Sequence, residues 1–169
     1  MAIWSSTLNI RERILLTLKR VNIGYYLLYF LVCNFVLVQL FAFFRGEYAY
    51  MINGNLLSFD SQNEELIMVV ILAPFLETIG YQHFLIFIVL FVSEKLTKKR
   101  SIILAIIIPA IYFASSHLPD YTYVVYAFLG ALSFNIFYLI MKYRMRNAIF
   151  YTLLVHLLCN LLVFGLKHM

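Results

Sequence analysis

Charged residues are scarce in this chain, and their scarcity excludes an ordinary soluble domain. Only 12% of the 169 residues are charged, whereas 64% are hydrophobic and the mean hydropathy is +0.89. A soluble domain cannot cover that much apolar surface, because its exterior needs about twice as much charge. The chain is long enough for one compact bundle and too short for an added soluble domain. We therefore predict an all-α, polytopic membrane helix bundle.

Cysteine is also rare, which excludes two further classes of site. Cys33 and Cys159 both lie inside apolar runs, so the sequence implies neither a disulfide framework nor a Cys-rich metal site. The net charge is +5, but the basic residues cluster beside hydrophobic segments and form no aromatic-interleaved groove. We therefore expect the lipid bilayer as a partner and no nucleic acid.

Apolar stretches long enough to span a bilayer divide the chain into five predicted helices. A spanning helix needs about 20 mostly apolar residues. Residues 1–20 alternate leucine and isoleucine with arginine and lysine, which predicts an amphipathic, basic leader and no cleavable signal peptide. Residues 21–169 then form a single membrane domain, with a polar loop over residues 45–65. The predicted spans are residues 22–44, 66–92, 101–118, 122–141 and 147–166.

Loop charges predict how these spans are oriented. The leader and the connections after the second and fourth spans are rich in lysine and arginine, whereas the alternate connections carry acidic residues. Basic loops face the cytoplasm, so five spans place the N-terminus there, in a multi-pass cell membrane protein. Tyr121, Tyr123 and Tyr126 follow the third span and are predicted to form an interfacial aromatic belt.

Four polar residues inside apolar stretches are the candidate functional residues: Glu77, His117, His156 and Asn160. Such groups are costly in hydrocarbon, so they normally face a bundle interior or a watery cavity and indicate a functional site. Each also has a structural interpretation. Glu77 could lock helix packing, His117 could be an interfacial residue, and the i, i+4 pair of His156 and Asn160 could bridge helices.

The order of these residues resembles a known family. A Glu, then Phe113 to His117 as FxxxH, then His156 to Asn160 as HxxxN, is similar to the CAAX protease and bacteriocin-processing (CPBP, or Abi) family of intramembrane glutamic endopeptidases. The resemblance covers about residues 66–166 and includes a proline, Pro74, shortly before the glutamate.

Two positions depart from the family pattern EExxxR. Thr78 stands in place of the second glutamate and Gln82 in place of the arginine. These positions are i and i+4 on one helix, so their side chains can pair. Replacing both members of an ion pair, by Thr and Gln, leaves no buried charge without a partner. We therefore expect Thr78 and Gln82 to be a neutral pair that stands in place of an ion pair and supports Glu77.

The resemblance implies a mechanism for the matching residues. Glu77 would be the general base, His117 would help to hold and activate a water, and His156 with Asn160 would donate hydrogen bonds to the oxyanion. Supporting roles fall to Thr78, Gln82 and Phe113. The scheme needs no metal or cofactor, although Glu77, His117 and His156 could also make a His₂Glu zinc site. The implied partner is a peptide or protein substrate at the membrane: a CAAX tail, a peptide pheromone or a bacteriocin leader.

Two functions from other classes stay open. A catalytically inactive relative would serve as a membrane scaffold or immunity protein that binds a membrane-protein partner. A small proton-coupled transporter would use Glu77 and the histidines as a relay, but its length is against it, since transporters usually contain paired repeats. His156 is predicted near mid-membrane and His117 near the end of its span, so their convergence requires tilt or a bend at Pro109.

Overall fold

Five helices make up the part of the chain that the structure, a computed structural model, describes: residues 21–45, 59–118, 121–144 and 146–168, with only the backbone of residues 44, 45 and 122. That part contains no strand, and the predicted all-α fold is confirmed. The predicted leader, residues 1–20, lies outside it. The helices are α1 (Ile23–Arg45), α2 (Gln62–Val92), α3 (Lys98–Ser115), α4 (Tyr121–Tyr143) and α5 (Ala148–Lys167).

Four of these helices, α1, α2, α4 and α5, are long and apolar enough to cross a membrane. Helix α3 begins with Lys98, Lys99 and Arg100, and its apolar part, residues 101–115, is shorter than the ~20 residues of a full span. It nevertheless packs along α4, where its Ile106 carbonyl accepts a hydrogen bond from the Asn135 amide at 2.8 Å. The chain is therefore a multi-pass membrane protein, and α3 is the shortest of the five helices described.

Helices that follow one another in the chain run in opposite directions, which gives the bundle two chemically different ends. Contacts such as Asn34 with Ser133 and Asn160 with the Val69 carbonyl fix α1 against α4 and α2 against α5. We call one end the basic end, since it carries Lys95, Lys98, Lys99, Arg100, Lys142, Arg144 and Arg146. The opposite, acidic end carries Asp60, Glu64 and Glu65.

Helix α2 begins earlier than its hydropathy suggests. The predicted loop included residues 62–65, which are polar, but Ser61 caps the helix there by accepting a hydrogen bond from the Glu64 amide at 3.2 Å. Ser61 and Glu64 have the spacing of a capping box, in which a serine is followed three residues later by a glutamate. The helix start was therefore readable from the capping residues and not from the apolar run.

The hydrogen-bonding pattern of α2 changes along its length. Two π-helical segments, Leu66–Leu72 and Thr78–Leu85, flank a short α-helical segment, Ala73–Glu77. A π-helix bonds residue i to residue i+5, is rare, and is frequent at functional sites. The irregular part of α2 is therefore centred on Glu77, the residue that the sequence singles out.

Two contacts hold α2 in place near its ends. At the acidic end, the buried Glu65 carboxylate pairs with the Lys167 ammonium, and its other oxygen lies 3.2 Å from Nε2 of His168. Just past the other end of α2, the hydroxyl groups of Ser93 and Ser101 are hydrogen-bonded at 2.6 Å, which joins the turn after α2 to α3. Between these contacts the helix borders a cavity.

Candidate active site

A cavity of about 320 Å³ in the bundle is lined by all four candidate residues. Glu77 comes from α2, His117 from the turn after α3, and His156 and Asn160 from α5. The cavity is within the size range of small-ligand sites in proteins. Helix α3 ends at Ser115, so His117 stands on the turn that follows it, and from there its side chain lines the cavity.

Glu77 and His156 face each other across the α2–α5 seam. The Glu77 Oε2 atom lies 3.4 Å from Nε2 of His156, slightly beyond a normal hydrogen bond and within reach of a small side-chain movement. The Glu77 side chain is 24% exposed, whereas that of His156 is 4% exposed. The carboxylate therefore reaches the cavity while the imidazole supports it from within the protein.

Thr78 contacts the other nitrogen of the same imidazole. Its Oγ1 lies 3.3 Å from Nδ1 of His156, and Phe134 stacks on the ring at a centroid distance of 4.3 Å. A hydroxyl can donate or accept, so Thr78 can bond to Nδ1 whichever nitrogen of His156 carries the proton. Three neighbours therefore fix this imidazole, with Nε2 directed at Glu77.

Thr78 and Gln82, the predicted neutral pair, do not bond to each other. The Thr78 hydroxyl is engaged with His156, and neither amide atom of the fully buried Gln82 has a hydrogen-bond partner in the described structure. The reason is the π-helical segment, whose i→i+5 pattern no longer stacks residues i and i+4 as an α-helix does. Thr78 therefore supports the site by contact with α5 rather than along its own helix.

His117 is oriented by the backbone of the helix end. Its Nδ1 lies 2.7 Å from the Phe113 carbonyl oxygen, which can only accept, so Nδ1 carries a hydrogen. In the neutral imidazole, Nε2 then has the free lone pair. The ring also contacts the rings of Phe113 and Tyr123 at 4.7 and 5.0 Å. The motif FxxxH thus supplies both an aromatic neighbour and the carbonyl that selects the tautomer.

Asn160 compensates for a proline in α2. In an i→i+5 segment the Val69 carbonyl would bond to the amide of residue 74, but Pro74 has no N–H. The Asn160 amide nitrogen donates to that carbonyl at 2.9 Å. Since a carboxamide nitrogen has two hydrogens, Asn160 keeps a second donor for the cavity that it lines.

Sequence reasoning missed three polar residues of the cavity wall: Asn34, Tyr123 and Tyr126. The predicted aromatic belt is wrong for both tyrosines, since only Tyr121, at 80% exposure, faces outward. Tyr123 and Tyr126 are three residues apart on α4 and therefore share a face, which is turned to the cavity. That spacing was a usable signal, whereas a single asparagine in α1 gave none.

A metal ion would need several ligands close together. In the described ranges, no three histidine, cysteine, aspartate or glutamate side chains are grouped so that they could hold one. The two histidines and the glutamate are instead engaged in the pairwise contacts given above, with Thr78, the Phe113 carbonyl and each other.

Comparison with known proteins agrees with the geometry. A family model described as Rce1-like, type II CAAX prenyl endopeptidase Rce1-like, matches residues 63–162, more than half of the 169 residues. No curated protein and no solved structure matches the chain. The matched residues include Glu77, His117, His156 and Asn160, and the resemblance to CAAX proteases is confirmed. The chain belongs to the Rce1-like family of type II CAAX prenyl endopeptidases.

Proposed function

We propose that this chain is an intramembrane endopeptidase that hydrolyses a peptide bond of a membrane-proximal peptide or protein, with water activated by Glu77 and its histidines. The observation that carries this proposal is that Glu77, His117, His156 and Asn160 line one cavity, with Glu77 3.4 Å from His156. A carboxylate, two oriented imidazoles and a carboxamide are sufficient for general-base hydrolysis with an oxyanion site.

In this mechanism Glu77 and His117 hold the attacking water. The lone pair on Nε2 of His117 accepts one hydrogen bond from the water, and the Glu77 carboxylate takes the other proton as the oxygen adds to the carbonyl carbon. The proton held by Glu77 then passes to the leaving amine as the C–N bond breaks. Water is consumed, and the products are a carboxylic acid and an amine.

His156 and Asn160 stabilise the oxyanion of the tetrahedral intermediate. The second N–H of Asn160 is one donor, because its first N–H is bonded to the Val69 carbonyl. The Nε2–H of His156, which faces Glu77 in the resting site, becomes the other donor once Glu77 has taken the proton from the water. Preorganised donors in a water-excluded site contribute more than donors that must reorient, because no reorganisation is required during the reaction. The contacts with the Val69 carbonyl and with Thr78 thus hold Asn160 and His156 in the positions that these roles require.

The proposed location is a bacterial plasma membrane, with the basic end in the cytoplasm. The lysines and arginines at that end fit the positive-inside pattern, and the acidic end then faces outward. Because His117 lines the cavity from the end of α3 that lies opposite the basic end, the proposed substrate is a peptide that approaches the cavity from the outer half of the bilayer. A peptide pheromone or bacteriocin leader fits this description.

The test uses the purified full chain in lipid nanodiscs with a library of quenched fluorescent hydrophobic peptides. Cleavage of at least one peptide is expected, with Glu77→Gln lowering the rate by about 10²-fold or more. Glu94→Gln is the matched control, because Glu94 is an exposed carboxylate in the turn after α2. Equal cleavage by Glu77→Gln and the parent would contradict the glutamate mechanism. Binding of peptides without cleavage would favour the inactive scaffold.

Chelation tests the zinc alternative in the same assay. With Glu77 as the base and no metal, dialysis against EDTA leaves the cleavage rate unchanged. A loss of activity that added zinc restores would instead assign Glu77, His117 and His156 to a metal site.

A further inference from the structure

Helix α1 contributes one polar side chain to the cavity, and it lies outside the part of the chain that the family model matches. Asn34 lines the cavity together with Glu77 and His156, and it is only 5% exposed. The matched residues begin at residue 63, after α1. A role for Asn34 therefore has to be argued from its own contacts.

The contacts of Asn34 determine which of its atoms can meet a ligand. Its Nδ2 donates to the Phe30 carbonyl at 2.8 Å and to Oγ of Ser133 at 3.0 Å. A carboxamide nitrogen has two hydrogens, so these bonds use both of them. What Asn34 can still offer to a molecule in the cavity is its carbonyl oxygen, Oδ1, a neutral acceptor.

Ser133 and two ring contacts fix the position of this acceptor. The Phe30 and Phe137 rings meet at 4.8 Å toward the basic end, and Phe41 and Tyr126 meet at 5.3 Å toward the acidic end. The bond from Asn34 to Ser133 lies between these levels and joins the same two helices, α1 and α4. Contacts at three levels therefore fix α1 against α4, and with them the position of Oδ1.

A peptide in the cavity needs an acceptor as well as donors. The proposed catalytic groups act on the carbonyl of the scissile bond, through Glu77, His156 and Asn160. The backbone N–H groups of the same peptide lose their water partners on entering the cavity, and an unpaired buried N–H is unfavourable. A carboxylate in that position could compete with Glu77 for a proton, whereas a carboxamide oxygen cannot.

We propose that Oδ1 of Asn34 accepts a hydrogen bond from a backbone N–H of the bound peptide beside the scissile bond, and so makes α1 part of the substrate-binding site. This inference rests on the proposed endopeptidase function. It assigns to Asn34 a positioning role: it binds the peptide backbone regardless of side-chain identity and sets which carbonyl lies against Glu77.

The test combines an enzyme variant with a change in the substrate backbone. The probe is the best-cleaved library peptide, remade as a series in which single backbone N–H groups, other than that of the scissile bond, are replaced by ester oxygen. With the parent enzyme, one ester is expected to raise KM about 5- to 10-fold, the loss expected for one hydrogen bond. Asn34→Leu should raise KM for the unmodified peptide similarly and should be insensitive to that same ester.

Two further variants separate this role from a structural one. Ser133→Ala removes only the anchor, so the sensitivity to the ester should persist. Cys33→Ala is the matched control on α1, since Cys33 lines the groove on the other side of the α1–α4 contact and should leave KM unchanged. If Asn34→Leu does not fold, Asn34→Ser, which removes the carboxamide without adding bulk, replaces it in the same comparison.

The possible outcomes are distinguishable. An ester effect of the same size in the parent and the Asn34 variant would overturn the role of Asn34 while leaving the endopeptidase intact. The absence of any ester that raises KM would do the same. Cleavage that is indifferent to Glu77→Gln would overturn the proposed function itself, and the inference with it.

Discussion

Thr78 lies 3.3 Å from the imidazole nitrogen of His156 that faces away from Glu77. The family pattern EExxxR has a second glutamate at this position; here the side chain is a hydroxyl, and it contacts the histidine of α5. A carboxylate can only accept a hydrogen bond, whereas a hydroxyl can also donate one. Thr78 can thus stay bonded to Nδ1 whichever nitrogen of His156 carries the proton, and it holds the ring with Nε2 toward Glu77.

Removing the Thr78 hydroxyl should slow catalysis without weakening substrate binding. Thr78→Val keeps the shape of the side chain but leaves Nδ1 of His156 unsupported, so kcat should fall about 10-fold with KM nearly unchanged. Thr78→Ser retains the hydroxyl and should keep most of the activity. Steady-state kinetics on the best-cleaved peptide measures both, and a Val variant with the parent's kcat would show that Thr78 does not orient His156.

Replacing His117 by alanine should remove the lone pair on Nε2 that accepts a hydrogen bond from the water. His117→Ala is expected to lower kcat by about 10²–10⁴-fold, the usual contribution of a group that assists proton transfer. The control is His83→Ala, because His83 is also in a membrane helix but bonds to the Tyr138 hydroxyl at 2.7 Å, away from the cavity. Similar losses in both variants would indicate a general effect on folding instead of a role in the site.

Asn160 and Pro74 should be energetically coupled through the Val69 carbonyl. Asn160→Leu leaves this carbonyl without its donor and should destabilise the protein by about 1–3 kcal/mol. Pro74→Ala supplies a backbone N–H at position 74, so Asn160→Leu should cost less in that background. Thermal unfolding of the two single variants and the double variant measures the coupling, and strictly additive effects would rule out the shared carbonyl.

The buried hydroxyl of Thr152 should be dispensable for stability. Thr152 is fully buried, and its Oγ1 has no hydrogen-bond partner among the described residues. Thr152→Val replaces an unpaired polar atom by a methyl group of similar size, so the Tm should stay the same or rise. Thr152→Ser keeps the hydroxyl and leaves a small void, so its Tm should fall. A lower Tm for the Val variant would reveal a partner for the hydroxyl.

The helical fold and the candidate residues were predictable because both depend on the contrast between apolar and polar residues along the sequence. Long apolar runs predict spanning helices, and an isolated Glu77 or His156 within such a run is conspicuous. The i, i+4 spacing of Phe113 with His117 also carried over to the structure, since the turn after α3 keeps the His117 ring against the Phe113 ring and its Nδ1 at the Phe113 carbonyl. Local patterns that the α-helical period describes were therefore read correctly.

The features that could not be predicted depend on departures from the α-helical period. The sequence around Thr78 and Gln82 gives no sign of a π-helical segment, so the two were assigned to one face and paired. Asn34 was missed for a different reason. A single asparagine in an apolar helix forms no periodic pattern that would predict which side of the helix faces the bundle. The orientation of Asn34 depends on its contact with Ser133, which is distant in sequence.

The α-helical segment Ala73–Glu77 limits which insertions and deletions α2 can tolerate. Each residue of an α-helix turns the chain by about 100°, so deleting a single residue there would rotate everything that follows by that angle. Glu77 would leave the cavity for a lipid-facing side even though every functional side chain was still present. Among relatives that keep this site, insertions and deletions should therefore be excluded from this stretch as strictly as substitutions are from Glu77.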